Sequence, residues 1–216
     1  MSEIQILPAF LKDRFDLWKV STFSRHEQTY RQLASEGQSP RAMFISCCDS
    51  RVNVASIFGV EAGELFIHRN IAGLVPPCEP SKSYHGTSAA LEYAVRALKV
   101  SHIVVLGHSN CGGVQGCLDM CTGRAPELED EASFIGRWMD LLREPCGRVV
   151  NAVAPADQPE ALEKEAIQLS LKNLITFPFV LDRIKEETLS LHGLWVNIGS
   201  GELEGYDAYE GGFVRL

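Results

Sequence analysis

GTSAALEYAVRALKVSHIVVLGHSNCGGV, Gly86 to Val114, is the stretch that decides the fold. Its first half places apolar residues at helical spacing. HIVVLGH, His102 to His108, then switches to a short β-forming run, too brief for a buried helix. A Gly pair follows, and CGGVQGCLDMCTG resumes a helical pattern. Strands separated by helices imply βαβ crossovers and a parallel sheet. Upstream, AMFISC and GELFIHRN read as two further strands. Downstream, Glu127 to Glu187 reads as helical, punctuated by Pro145, Pro155 and Pro178. LSLHGLWVNIGSGELEGYDAY alternates around Gly199–Gly201 and reads as a hairpin. Residues 1–37 read as helical, with Phe10, Leu11, Phe15 and Trp18 forming a packing stripe. The expected fold class is α/β: a mostly parallel central sheet flanked by helices, an N-terminal helical arm, and a C-terminal β-hairpin or edge strands. No linker divides the chain, so residues 1–216 are expected to form a single domain. Its parts are the arm at 1–37, a metal-site core at 38–125, and a helical segment with the C-terminal strands at 126–216.

Composition narrows the function classes. With 45% hydrophobic and 22% charged residues over 216 positions, the chain has enough apolar material for a sizeable core. A formal net charge of −8 repels phosphate backbones, which argues against a nucleic-acid partner. No run approaches the roughly 20 apolar residues of a membrane span, and the start lacks a basic, then apolar, signal pattern. Seven cysteines in no disulfide framework read as reduced thiols, and the expected location is cytoplasmic.

In a parallel α/β sheet, function gathers beyond the carboxyl ends of the strands. Two segments there carry metal-type ligands. ISCCDSRV supplies Cys47 or Cys48, and VVLGHSNCGGV supplies His108 and Cys111. Two thiolates and one imidazole, with a fourth position open, suit a catalytic zinc rather than a structural one. Along an extended segment, Cys47, Asp49 and Arg51 share one face, and Cys48 and Ser50 the other. Cys-x-Asp-x-Arg sets a carboxylate beside the thiolate and a guanidinium beside the carboxylate, a geometry suited to bidentate pairing. An Asp held this way is oriented, ionised and kept off the metal.

Cys47-x-Asp49-x-Arg51 followed by His108-x-x-Cys111 resembles the β-class carbonic anhydrases. GQSPRAMFISCCDSRV, GELFIHRNIAGLVPP and LHGLWVNIGSGELEGYD are similar to family segments in the same order. The resemblance implies a zinc enzyme, one Zn2+ per subunit, that hydrates carbon dioxide reversibly to bicarbonate and a proton by zinc-hydroxide attack. It implies Cys47, His108 and Cys111 as zinc ligands and Asp49 and Arg51 as a catalytic dyad. Gln38, Phe66 and Tyr93 match the substrate pocket of the plant-like subtype, and the Gly112 amide is a further candidate contact for a substrate oxygen. Phe44 and Ser46 stand where the bicarbonate-inhibited subtype has Trp and Gly. The implied assembly is a homodimer or a multiple of dimers, with N-terminal helices wrapping the partner. A relative that hydrolyses carbonyl sulfide or carbon disulfide on the same scaffold is the alternative. Two thiolates neutralise the ion's charge, so activity is expected to climb above neutrality. A flat rate profile between about pH 6.5 and about pH 9 would contradict this.

Two residues depart from the family pattern: a second thiol at Cys48, and Gly73 where Asn is common. His68 and His85 are nearest the pocket segments but read as ordinary packing or surface residues, and no proton carrier is identified. Cys78, Cys117, Cys121 and Cys146 read as small buried hydrophobes rather than a second metal site.

Overall fold

The computed structural model describes residues 6–79 and 85–216, so the first five residues of the expected arm lie outside the described residues. The chain divides into two compact units, Met1–Ser39 and Pro40–Leu216.

In the first unit, α1 (Ala9–Trp18) runs through a π-helical turn, Lys19–Phe23, towards α2 (Glu27–Glu36). Gly37, with φ +85°, ends α2 in a conformation that side chains rarely adopt. The expected packing stripe is resolved into a ring cluster. Trp18 lies 5.7 Å from Phe15, 5.4 Å from Phe23 and 5.7 Å from Tyr30, centroid to centroid. All four residues of the expected stripe, Phe10, Leu11, Phe15 and Trp18, nonetheless remain exposed, as does Val20.

The second unit is built on a six-stranded sheet of order β2-β1-β3-β4-β5-β6, formed by β1 (Ala42–Cys47), β2 (Leu65–Asn70), β3 (His102–His108), β4 (Ser190–Val196), β5 (Leu203–Asp207) and β6 (Gly212–Arg215). The first four strands in that order pair in parallel; β5 and β6 are antiparallel. The C-terminal hairpin is therefore present, extended by one short edge strand. β1 and β3 are buried on both faces, which is why they read as continuous apolar runs rather than alternating ones. Met43, Ile45, Ile103 and Val105 fill one core; Phe44, Val104, Leu106 and Val196 fill another.

The helices are α3 (Val54–Phe58), α4 (Gly86–Glu92), α5 (Gly112–Cys121), α6 (Phe134–Met139), α7 (Arg143–Ala152), α8 (Gln158–Leu174) and α9 (Pro178–Lys185). Local chemistry sets their ends. The side chain of Asn53 accepts from the amide of Ser56 to start α3, and Ser133 accepts from Gly136 to start α6. Pro178 opens α9, where its missing N–H costs nothing. Pro145 differs from the expectation of a break: it lies in the first turn of α7, the one part of a helix that tolerates it.

The long helix α8 sits against the sheet at two glycines. A Cβ on Gly107 would meet Ile167 Cδ1 at 2.7 Å, and one on Gly193 would meet Ile167 Cγ2 at 2.8 Å. Glycine at these strand positions permits the close approach that carries α8, and with it Glu163, beneath the carboxyl ends of the strands.

Candidate metal centre

Because β1 and β3 are parallel neighbours, their carboxyl ends lie side by side. Cys47 is the last residue of β1 and His108 the last of β3; Cys111 immediately precedes α5. The ligand atoms of these three buried residues all lie within 4.8 Å of one another, and the two sulfurs are 3.9 Å apart. His108 Nδ1 lies 2.9 Å from the carbonyl of Ser109, which fixes the ring so that Nε2 carries the free lone pair. That Nε2 is buried and has no hydrogen-bond partner. A buried nitrogen left this way costs free energy unless something binds it, and a cation would satisfy it. Two sulfurs and one imidazole nitrogen fit zinc with three protein ligands.

The electrostatics agree with a cation-binding trio. The neighbouring Cys111 thiol pulls Cys47 far below the ordinary thiol range, against the opposing effect of burial. The resulting Cys47 charge, with burial, pushes Cys111 up. Charge on one sulfur therefore opposes charge on the other, and a cation between them would relieve that opposition. The amides of Asp49 and Ala72 help hold the charge on Cys47, and those of Gly113 and Val114, in the first turn of α5, favour it on Cys111. Burial opposes charge on His108, but the Cys47 sulfur and the Ser109 carbonyl outweigh it and raise its pKa.

The Asp49–Arg51 pair forms as expected, but for a different reason. The segment does not stay extended past Cys47; Ser50 and Arg51 lie in a turn closed by a Val52 amide bond to the Asp49 carbonyl. Alternation of faces therefore does not apply. Asp49 Oδ1 accepts from the Arg51 amide at 2.9 Å and from Arg51 Nε at 2.9 Å, while Oδ2 accepts from Nη2 at 2.7 Å. This fork, above all other contributions, holds the Asp49 carboxyl well below the usual carboxylate range. Arg51 also donates to the carbonyl of Asn110 at 2.9 Å, tying the β1 loop to the β3 loop. Asp49 Oδ2 lies 4.0 Å from His108 Nε2, so this oxygen faces the position shared by the ligands. Cys48, the thiol without a role, is exposed. Arg51 opens onto a cleft of about 590 Å³ whose lining includes Ile57, Asn110, Val196 and Ile198.

Two supporting residues were not singled out for this role from the sequence. Arg69 donates to the carbonyls of Cys47 at 2.9 Å and Asp49 at 2.7 Å, clamping the loop that carries the dyad. Glu163, on α8, accepts from the Cys111 amide at 3.0 Å and from Trp195 Nε1 at 3.0 Å. Its signal in the sequence is an acid within the apolar stripe of α8, with Ala166 and Ile167 three and four residues on. Gly73 also finds an explanation: its φ of +65° is left-handed, the region Gly and Asn tolerate best.

The pocket residues distribute differently. Gly112 opens α5 beside Cys111. Phe66 and Tyr93 pack together, ring centroids 5.8 Å apart, and Tyr93 begins a π-helical turn at the end of α4. Phe66 pairs in register with Met43, four residues before Cys47. That is about 13 Å along the strand, so within one chain the pair does not wall the trio as expected. Gln38 belongs to the first unit and is exposed.

A family model described as carbonic anhydrase matches residues 42–203. The chain is 33% identical over 197 residues to beta carbonic anhydrase 3 of Arabidopsis thaliana, covering 90% of this chain and 74% of that protein. The chain belongs to the β-carbonic anhydrase family. It is thus a carbonic anhydrase, a lyase. The solved structure of the β-carbonic anhydrase CcaA superimposes with a TM-score of 0.86 at 33% identity, over 95% of this chain and 90% of that one. A tetrameric β-carbonic anhydrase from the filamentous ascomycete Sordaria macrospora gives 0.75 at 27% identity, over 91% and 94%. For this carbonic anhydrase, the shared architecture is the mostly parallel sheet with its antiparallel C-terminal strands. No helix among the described residues is long and apolar enough to cross a membrane.

Proposed function

We propose that the chain hydrates carbon dioxide to bicarbonate at a zinc ion held by Cys47, His108 and Cys111, with Asp49 and Arg51 as the catalytic dyad. The observation that carries this is the unpartnered, buried His108 Nε2, which faces two cysteine sulfurs and the arginine-held carboxylate of Asp49. Bound zinc supplies a Lewis acid that makes water a nucleophile near neutral pH. The protein's share is orientation and charge. The Arg51 fork keeps Asp49 ionised and off the metal, leaving Oδ2 to accept a hydrogen bond from the reacting water and aim its lone pair. The Gly112 amide would donate to a substrate oxygen, a role supported by its position at the head of α5, where first-turn amides have no partner within their helix. Arg69 and Glu163 hold the loop and the Cys111 backbone still.

The intact Asp49–Arg51 pair and the presence of Phe44 and Ser46 favour the plant-like, accessible form of the site. The separation of Phe66 and Tyr93 from the trio of their own chain favours a homodimer, or a multiple of dimers, in which one subunit's aromatic pair walls the other's site. Exposed apolar residues on α1 suit the same assembly. Cysteines in no disulfide pattern support a cytoplasmic setting. The test is to assay the zinc-loaded protein in parallel on carbon dioxide and carbonyl sulfide. Faster turnover of carbon dioxide supports the reading; hydrolysis of the sulfur analogue alone would replace it.

A further inference from the structure

A second group of three metal-type side chains lies outside the centre described above. Cys117 and Cys121 stand one turn apart on α5, and Cys146 faces them from α7. Their three sulfurs lie within 4.8 Å of one another. Cys117 and Cys146 are buried and Cys121 is half-buried. A sulfur–metal distance of about 2.3 Å would set the corners of a trigonal site about 4 Å apart, so little movement is needed to close on an ion. The surroundings are apolar: Leu118, Met139, Leu142 and Val149 belong to the same core cluster.

We propose that Cys117, Cys121 and Cys146 form a second metal site, one that takes a soft cation of the copper(I) class in three-coordinate, all-sulfur ligation. Three observations select this ion class. The group contains only sulfur, and soft thiolates favour copper(I) or zinc over hard cations. Zinc in structural sites is almost always four-coordinate, and no histidine or carboxylate joins this group among the described residues. The site is mostly dry, which suits a weakly hydrated univalent ion. Each buried thiol already has an acceptor for its proton: Cys117 Sγ donates to the Met139 carbonyl at 3.6 Å, and Cys146 Sγ donates to the Cys117 carbonyl at 3.7 Å. Burial pushes the Cys117 thiol up to about 12 and raises that of Cys146 as well. These thiols are therefore poor nucleophiles at neutral pH, and only a strongly thiophilic ion will displace their protons to solvent. The ion would fasten α5 to α7, and α5 is the helix that begins directly after Cys111.

The test uses zinc-loaded protein carrying Cys48→Ser and Cys78→Ser, which removes the other thiols outside the two groups. It is titrated anaerobically with copper(I) delivered by a chromophoric chelator, and both metals are counted after desalting. The expected result is one copper(I) retained per chain with zinc and carbon dioxide hydration unchanged. Adding Cys146→Ala should abolish copper retention and leave zinc in place. Cys121→Ser, at the half-buried position, should do the same if the core variant fails to fold. Copper taken up only as zinc leaves, uptake unchanged in these variants, no uptake, or a second zinc held as firmly as copper would each overturn the proposal.

Discussion

Asp49 is held by three hydrogen bonds from Arg51, and its pKa direction follows from them. Less visible is Glu163, a buried carboxylate whose pKa burial raises despite bonds from Cys111 and Trp195. Both oxygens are used, so an amide cannot replace it. Glu163→Gln sets an NH2 against one of the two donors and should destabilise the zinc-loaded protein by about 1–3 kcal/mol in urea denaturation. Unchanged stability would remove Glu163 from the support of the site. His68 gives a pH prediction. Burial lowers its pKa, so the unfolded chain binds its proton more readily than the folded one. Its contribution is present above the unfolded value of about 6.5 and is lost as pH falls through the lower folded value. The melting temperature should decline less steeply from neutral to mildly acid pH in His68→Gln than in the wild type. Parallel curves would contradict this. At this scale the clustering of Cys47, His108 and Cys111 and the Asp49–Arg51 pairing were legible, because thiols, imidazole and an Asp–Arg spacing at strand ends have few structural uses. Glu163 was not, because an acid in a helical stripe reads as a surface residue until its partners are known.

Elements that depend on periodicity were legible: β1 and β3 coincide with AMFISC and HIVVLGH, β2 with all but the first two residues of GELFIHRN, and the hairpin of β4 and β5 turns where Gly199–Gly201 stand. What periodicity cannot carry is register. AMFISC and GELFIHRN place Cys47 and Phe66 in adjacent strands, yet only the pairing of Phe66 with Met43 shows that the aromatic pair lies far from the ligands. The turn at Ser50–Arg51 was hidden for a related reason, since a polar stretch after a strand carries no period. The packing of α8 onto β3 and β4 yields its own prediction. Gly107→Ala drives a methyl into Ile167 and should cost about 1–3 kcal/mol, with Ile167→Val recovering part of the loss. Thermal denaturation of the single and double variants checks this; a Gly107→Ala protein as stable as wild type would contradict the close approach.

For the whole molecule, the parallel order β2-β1-β3-β4 does the essential work by gathering the carboxyl ends of β1 and β3 at one edge of the second unit. Sequence order alone left the 63 residues between Cys47 and Cys111 unexplained as to proximity; two adjacent strands close that gap. On the proposed function, this edge holds zinc and Asp49 acts on the substrate rather than on the fold. The direct measurement is stopped-flow carbon dioxide hydration by wild type and Asp49→Ala, with zinc counted in both. The expected result is one zinc per chain in each protein, with hydration in the wild type and a fall of at least about a hundredfold in the variant. A fully zinc-loaded wild type that does not hydrate carbon dioxide, or an Asp49→Ala protein that does so at the wild-type rate, would contradict it.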